Sequence, residues 1–375
     1  MRAKTTLIPI LFCLALTLAV SPAFPCQTFM LKKGNSLTVG HNLGNPPGDI
    51  PGAVVINKRG VHKKAVSFAE ILSGKPAANP SLEWVSKYGS VTFNPFCRDF
   101  PDGGMNEAGL FIGEMSLDAT EFPVDESKPR MFMILWIQYV FDNFETVDQV
   151  VQSAHDLMID GWTWHFFTAD RQGNAAVIEF LDSTVTVYQG DDLPLPVLCN
   201  RRYAREVENL GMCKGFGGDS LIDLSNNEQP RFLHAAVMLR DYDPERDAAI
   251  DYSFKILEQF DRGNTQWTFV CDLNSLTAYW RTATSPRIKT LDLDNFDLSC
   301  DTPVRMLSIQ ANLEGNVEKH FEDYTPARNR KFVEDAMRTL GELMDIEELF
   351  TSGGSTIEEV MTRLAGYSEG TVCKK

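Results

Sequence analysis

The stretch Cys26-Gln27-Thr28-Phe29-Met30-Leu31 begins directly after an apolar leader and has the residue types of a β-strand. Further short strands, separated by Gly, Pro and Asn turns, are predicted through the first third of the chain. The predicted strands are Gln27–Leu31, Ser36–Val39, Ala53–Asn57, Ser90–Asn94 and Gly109–Leu117. We therefore expect the chain to open as a sheet, with Cys26 at the start of its first strand.

Residues 1–25 have the features of an export signal. Arg2 and Lys4 give a positive start, the run from Leu7 to Val20 is almost wholly apolar, and Ser21-Pro22-Ala23 offers small residues to a peptidase. The apolar run is too short for a stable membrane span. We expect an exported protein, periplasmic or extracellular, whose mature part is residues 26–375. Cleavage after Ala23 and cleavage after Pro25 both remain open.

The rest of the chain alternates helices and strands. Apolar residues 131–144 and the capping box Thr146-Val147-Asp148-Gln149 predict two helices. The later predicted elements are strands at Trp162–Ala169, Ala175–Leu181 and Thr184–Gln189, helices at Arg231–Leu239 and Ala248–Phe260, a hairpin of Trp267–Asp272 with Leu276–Arg281, and tail helices from about Arg328 to Phe350 and from Thr356 to Gly366. This order predicts an α+β fold in which helices cover two stacked antiparallel sheets. Because no linker or repeat divides residues 26–375, we expect a single domain with a helical tail from about residue 328.

Composition narrows the classes of function. Loss of Arg2 and Lys4 with the leader changes the net charge from −16 to −18, which argues against nucleic acid as a partner. Solubility of a secreted protein explains the acidity. Seven cysteines remain after Cys13 leaves, an odd number that suggests one free thiol and up to three disulfides with fifteen pairings open. No Cys and His cluster has metal-ligand spacing, so neither a metal nor an organic cofactor is predicted.

Cys26 is the first candidate catalytic residue. A thiol on the first residue of a mature chain has its own α-amine beside it, and that amine can accept the thiol proton directly or through water. The alternative is a disulfide half-cystine near a secreted N-terminus. A lipid-anchored cysteine is a second alternative, which the bulky Phe24 and Pro25 disfavour.

Three later segments carry further candidates. Asp102-Gly103-Gly104-Met105-Asn106-Glu107-Ala108-Gly109-Leu110 is a Gly-rich turn into a strand, in which Asn106 is typical of a turn former. Asn200 ends an apolar strand, where its amide can donate to a developing oxyanion or can cap a turn. Arg231 begins a helix, either in a site or in a surface salt bridge.

Together these segments resemble the choloylglycine hydrolase and penicillin V acylase family of N-terminal-nucleophile hydrolases, the linear amide C–N hydrolases. The resemblance rests on six pieces in order: the opening Cys-x-Thr at 26–28, Gly40-His41-Asn42-Leu43, Gly-Ser-Val-Thr-Phe-Asn at 89–94, Gly-Met-Asn-Glu-Ala-Gly-Leu at 104–110, Asn200, and Arg231-Phe232. It implies a four-layer αββα fold with the cysteine on a central strand.

The resemblance also implies roles for residues. Cys26 matches the nucleophile, Asn200 the oxyanion-hole amide and Arg231 the active-site arginine. A second oxyanion position falls near Ser116, where a backbone N–H can serve equally. The chain departs from the family at His41 and Gly44, where the family has an Arg and an Asp.

The missing acid gives a prediction of its own. A carboxylate at position 44 would stabilise the α-ammonium of Cys26. From the sequence alone we therefore expect that Gly44→Asp raises turnover, unless a nearby acid such as Asp49 replaces the missing group.

The expected activity is hydrolysis of a linear, non-peptide amide bond through a thioester intermediate. Candidate substrates are small-molecule N-acyl amides: conjugated bile acids, penicillin V-like compounds, acyl-homoserine lactones and N-acyl amino acids. One rival is a catalytically weak or inactive secreted protein that keeps the fold for binding. Another is an unrelated disulfide-stabilised secreted protein. The sequence leaves monomer and homo-oligomer both open.

Overall fold

The fold was analysed in a computed structural model that describes residues 26–44, 50–95, 97–259, 261, 263, 265–343, 351 and 353–373. The predicted export signal at 1–25, the candidate acid Asp49 and residues 344–350 of the predicted tail helix lie outside these residues. Within the described ranges, no helix combines the length and the apolar character needed to cross a membrane.

Strands are the main elements of the molecule. In chain order they are β1 (Gln27–Lys33), β2 (Ser36–Gly44), β3 (Ala53–Asn57), β4 (Val61–Lys64), β5 (Glu83–Val85), β6 (Ser90–Asn94), β7 (Gly103–Asn106), β8 (Phe111–Ser116), β9 (Arg130–Phe132), β10 (Met158–Asp160), β11 (Trp164–Ala169), β12 (Ala175–Leu181), β13 (Thr184–Gln189), β14 (Val197–Leu198), β15 (Thr265–Asp272), β16 (Thr277–Thr282), β17 (Lys289–Asp292), β18 (Arg305–Ser308), β19 (Gly315–Asn316), β20 (Glu322–Asp323) and β21 (Val372–Cys373). The helices are α1 (Phe68–Ser73), α2 (Met133–Asn143), α3 (Val147–Asp156), α4 (Tyr203–Gly211), α5 (Arg231–Asp241), α6 (Ala249–Glu258), α7 (Pro326–Leu343) and α8 (Ile357–Glu369).

Two large sheets form the centre. The seven-stranded sheet has the order β14-β1-β2-β15-β16-β17-β19, and the nine-stranded sheet has the order β13-β12-β11-β8-β7-β6-β3-β18-β20. Neighbouring strands are antiparallel except β17 and β19. Helices α5 and α6 pack against the first sheet, and α2 and α3 against the second. The predicted α+β class and the four-layer αββα order are therefore confirmed.

Aromatic rings fill the space between the sheets. Phe269 of β15 stacks on Phe93 of β6, with ring centroids 4.0 Å apart, and lies 6.2 Å from the ring of Phe111. The sheets approach closely at Gly113 of β8, where a Cβ would lie 3.1 Å from Nδ1 of His41 on β2. A glycine at this point lets the backbone of one sheet reach a polar side chain of the other.

Local signals explain several helix boundaries. Thr146 caps α3 in a capping box with Gln149, and Thr356 caps α8 in the same way with Glu359, as the sequence predicts. The apolar segment at 131–144 begins instead with the short strand β9, and its helix α2 starts at Met133. Nearly every residue of α2 is buried, because the helix lies between the nine-stranded sheet and other apolar groups.

Candidate active site

Cys26 lies immediately before β1 and is buried. Gln27 pairs with Asn42, so Cys26 lies beside the end of β2. There the Gly44 N–H donates to the Cys26 sulfur at 3.5 Å, and the thiol lies 3.8 Å from the Gly44 carbonyl oxygen. The thiol is therefore held by Gly44, one of the two residues at which the chain departs from the family pattern.

Charges around the thiol act in opposite directions. Burial raises the pKa of Cys26 well above its usual range, and the carboxyl groups of Glu114 and Asp102 raise it further. The Gly44 hydrogen bond and the Arg231 guanidinium lower the pKa of the thiol but do not offset burial. The thiol is consequently protonated at neutral pH, and a thiol becomes a nucleophile only when a base removes its proton.

Asn200 and Arg231 meet at the edge of this region. Arg231 is the first residue of α5, and its Nη2 donates to Asn200 Oδ1 at 2.7 Å. The Asn200 amide in turn donates to the Ser116 carbonyl oxygen at 3.0 Å and to Ser116 Oγ at 2.9 Å. All three side chains are partly exposed. An incoming oxygen atom can accept from one of the two N–H groups of the Asn200 amide while the other remains on Ser116 and orients the amide.

The sequence candidates are thus found in one region, although their roles remain predictions. Within the described part of the chain Arg231 forms no salt bridge, and its hydrogen-bond partner is Asn200. Asn106 has the predicted turn role: its Oδ1 accepts from the N–H groups of Ala108 and Leu110, and its amide donates to the carbonyl oxygens of Phe141 and Phe144. Asn106 is therefore a structural residue.

His41 and Asp102 form a second polar group near the thiol. His41 Nδ1 lies 2.7 Å from Thr28 Oγ1, and His41 Nε2 lies 3.8 Å from Asp102 Oδ2. Burial lowers the pKa of His41 to about 3, so its imidazole is neutral. Asp102 Oδ2 also accepts from Trp267 Nε1 at 2.9 Å. Burial raises the pKa of Asp102 well above its usual range.

Asp102 and Glu114 are site residues that sequence reasoning did not identify. Glu114 is buried in β8, and burial, followed by the nearby Asp102 carboxyl group, raises its pKa well above its usual range. A charged residue inside the apolar strand 109–117 was the available signal for Glu114. For Asp102 the signal is weaker, because an Asp before Gly-Gly is typical of an ordinary turn.

The seven cysteines after residue 25 are all described, and they form one disulfide, Cys300–Cys373, instead of as many as three. The free thiols of Cys26, Cys97, Cys199, Cys213 and Cys271 are all buried. The odd count therefore reflects five separate buried thiols. Among the described residues, no group of three or more His, Cys, Asp and Glu side chains is arranged to hold a metal ion.

Comparison with known proteins supports the resemblance. Residues 87–235 match the family described as linear amide C–N hydrolases, choloylglycine hydrolase family. Penicillin V acylase of Pectobacterium atrosepticum is 26% identical over 270 residues, which are 60% of this chain and 71% of that protein. These matches confirm the predicted family resemblance and the predicted enzyme class, a hydrolase of linear amides.

Solved structures share the fold. Penicillin V acylase from Agrobacterium tumefaciens superposes with a TM-score of 0.66 at 23% identity, covering 80% of this chain and 98% of that chain. A variant of conjugated bile acid hydrolase from Clostridium perfringens gives a TM-score of 0.60 at 17% identity, covering 78% and 99%. At these identities the likeness concerns the fold alone.

Proposed function

We propose that this protein is an exported enzyme with Cys26 as its N-terminal nucleophile. The proposal is supported by the sequence match to the linear amide C–N hydrolases and by the fold shared with penicillin V acylase. The enzyme cleaves a linear, non-peptide amide bond of a small N-acyl compound. The observation that carries the proposal is the convergence of three side chains. The Cys26 thiol lies at Gly44, within electrostatic reach of Arg231, and Arg231 is bonded to Asn200.

The proposed reaction starts after removal of the residues before Cys26. The α-amine of Cys26 takes the thiol proton, and the thiolate bonds to the amide carbonyl carbon. Asn200 and a backbone N–H stabilise the resulting oxyanion. As the C–N bond breaks, the leaving nitrogen takes the proton from the α-ammonium. Water then attacks the thioester, its proton passing through the α-amine to the sulfur as the carboxylic acid leaves.

Arg231 offers a contact to the substrate. Its Nη1 is buried and has no hydrogen-bond partner among the described residues, whereas its Nη2 is bonded to Asn200. A guanidinium N–H in such a position can donate to a carbonyl or carboxylate oxygen of an N-acyl compound. The match to the choloylglycine hydrolase family and the penicillin V acylase relative favour conjugated bile acids and penicillin V-like compounds as the first substrates to test.

Export is part of the proposal. The features of residues 1–25 support it, and so does the Cys300–Cys373 disulfide, because disulfides persist mainly in oxidising compartments. Two further steps follow from it. Cleavage by signal peptidase after Ala23 leaves Phe24-Pro25, which self-cleavage or a second peptidase then removes.

The test uses the exported protein with penicillin V and a glycine-conjugated bile acid as probes. We expect Cys26→Ala to abolish hydrolysis, and the wild type quenched during turnover to carry an acyl group on the peptide that begins with Cys26. Cys213→Ser is the matched control, because its hydroxyl can keep the bond that the Cys213 thiol donates to the Asn209 carbonyl oxygen. Full activity of Cys26→Ala would contradict the proposal. A processed, folded wild type that cleaves no N-acyl amide and forms no adduct would favour the inactive binding protein.

A further inference from the structure

We propose that Asp102 is the positioning carboxylate of Cys26 and replaces, from the opposite sheet, the acidic residue that the chain lacks at Gly44. The inference rests on the proposed function, since it concerns the α-amine that Cys26 gains on processing. It assigns to Asp102 the task of holding that amine and stabilising its protonated form.

The strand register places Asp102 at the right end of the site. Asp102 directly precedes β7 of the nine-stranded sheet. Its side chain nevertheless accepts a hydrogen bond from Trp267 of the seven-stranded sheet. Trp267 pairs with Leu43, the residue before Gly44. The carboxyl group is therefore fixed by a residue beside the end of β2, where the Gly44 N–H contacts the thiol.

Asp102 also has unused hydrogen-bonding capacity. Its side chain is fully buried, and no described side chain donates to Oδ1, although the backbone N–H groups of Asp102 and Gly103 lie close enough to lower the pKa of the carboxyl group. His41 Nε2, 3.8 Å from Oδ2, has no hydrogen-bond partner among the described residues. A buried polar atom without a partner is costly, which suggests that a donor is supplied later. Removal of the residues before Cys26 supplies such a donor, because the backbone nitrogen becomes an amine with several N–H groups.

The charges around the thiol agree with this assignment. Asp102 is close enough to Cys26 to raise the pKa of its thiol. Among the described residues, the other titratable or charged groups that face this site are His41 on β2, which is neutral, Glu114 on β8 and Arg231 on α5. An α-ammonium would add a cation beside Asp102 and favour its ionised form. The carboxylate then stabilises the ammonium that forms when the amine takes the thiol proton.

Glu114 is the alternative carboxylate, and it acts more strongly than Asp102 on the Cys26 thiol. The hydrogen bonds favour Asp102, because Trp267 fixes its orientation whereas no donor is seen on Glu114 in the described part of the chain. A fixed acceptor can orient an amine. Glu114 therefore serves as the comparison residue in the test.

The test compares correctly processed proteins, identified by an N-terminal sequence beginning at Cys26. Asp102→Asn keeps an acceptor for Trp267 but removes the charge. We expect kcat to fall about tenfold with little change in KM. The rising limb of the pH profile should move to lower pH, because an ammonium without its carboxylate has a lower pKa. Adding Gly44→Asp to Asp102→Asn should restore kcat and return the limb, whereas adding it to Glu114→Gln should not raise kcat.

Two outcomes would overturn the proposal. One is a processed Asp102→Asn protein with unchanged kcat and pH profile. The other is a severalfold gain in kcat from Gly44→Asp alone, which would show that the site lacks a carboxylate. The Gly44→Asp result tests the proposal even if Asp102→Asn does not fold. Loss of the proposed function itself is recognised separately, because Cys26→Ala would then retain activity.

Discussion

Two groups of buried carboxylates occur in this molecule, and their surroundings differ. In the ion cluster of Lys63, Arg98, Asp99 and Asp142, the Lys63 ammonium lies 2.8 Å from Asp99 and 2.9 Å from Asp142. Burial raises the pKa of Asp99, but Arg98 and Lys63 outweigh burial and hold it below its usual value. At Asp142 burial outweighs Lys63, and the pKa of that carboxyl group is raised. Near Cys26, no cation among the described residues contacts Asp102 or Glu114, and burial raises the pKa of both.

The difference separates a structural from a functional use of the same residue type. Buried charges with direct partners are stable but strongly coupled, so that removal of one partner is costly. Buried carboxyl groups without a cation keep shifted pKa values that a later charge can change, as groups at catalytic sites do. We therefore expect substitutions in the ion cluster to affect stability, and substitutions near Cys26 to affect turnover.

The largest effect is expected from Lys63→Met. The variant removes the cation that Asp99 and Asp142 share: Asp99 keeps Arg98, whereas Asp142 keeps only the neutral donors Trp84 and Gln138 among the described residues. Breaking a buried ion pair by removing one partner costs about 3–5 kcal/mol. Urea-induced unfolding followed by tryptophan fluorescence measures the loss. Arg205→Met is the control, because its salt bridge with Glu208 is exposed and contributes little. Wild-type stability of Lys63→Met would mean that the cluster is not held together by its cation.

A loss of turnover is expected from Asn200→Ala. Removal of one oxyanion-hole donor lowers kcat by about a hundredfold or more, roughly 2.7–4 kcal/mol, and the melting temperature should change little. Asn106→Ala is the contrasting variant, since its buried amide makes four hydrogen bonds and its loss should lower stability. A fall in kcat of less than about threefold would identify Asn200 as a turn residue.

Stability as a function of pH distinguishes Glu114, near Cys26, from Asp99, in the ion cluster, because their pKa values are shifted in opposite directions. The raised pKa of Glu114 means that its contribution to stability is present below the usual value of 4.5 and is lost as pH rises. Glu114→Gln should therefore melt above the wild type at pH 8, with a difference that shrinks towards pH 4. The lowered pKa of Asp99 stabilises the protein above 3.8, so Asp99→Asn should melt below the wild type at pH 7. If the melting temperatures of both variants shift in the same direction relative to the wild type, the two carboxyl groups do not differ in the way described.

The smallest effect is expected from Ser116→Ala. The variant removes one acceptor of the Asn200 amide, but the Ser116 carbonyl oxygen remains. Loss of one such hydrogen bond corresponds to about 0.5–1.5 kcal/mol, so kcat should fall only severalfold. A loss as large as that of Asn200→Ala would assign an essential role to the Ser116 hydroxyl group.

Sequence patterns predicted many of the elements whose signals are local, although helix α1, which begins with a capping box of Ser67 and Glu70, was missed. The strands at 53–57, 90–94, 175–181 and 184–189 have the predicted bounds, and two capping boxes begin helices where expected. Helix α4 was missed because Arg202 at its N-cap makes no side-chain hydrogen bond. Strands β17 to β20 were missed because two to four residues carry no reliable period, and their formation depends on neighbouring strands.

The residues of the candidate site likewise include some that the sequence identifies and some that it does not. The position of Cys26 after the leader, Asn200 at a strand end and Arg231 at a helix start can all be identified from the sequence. The contact of Asp102 cannot, because Trp267, which holds it, lies 165 residues further along the chain. Packing of two sheets brings these side chains together, and a single sequence does not show which strands face each other.

The central claim is that Cys26 is the first residue of the active enzyme. Intact mass measurement with N-terminal sequencing of an active, exported preparation tests it directly. We predict a chain that begins at Cys26, with a mass matching residues 26–375 less two hydrogens for the Cys300–Cys373 disulfide. A fully active preparation that retains Phe24 would contradict the claim, because the backbone nitrogen of Cys26 would then be an amide without basic character.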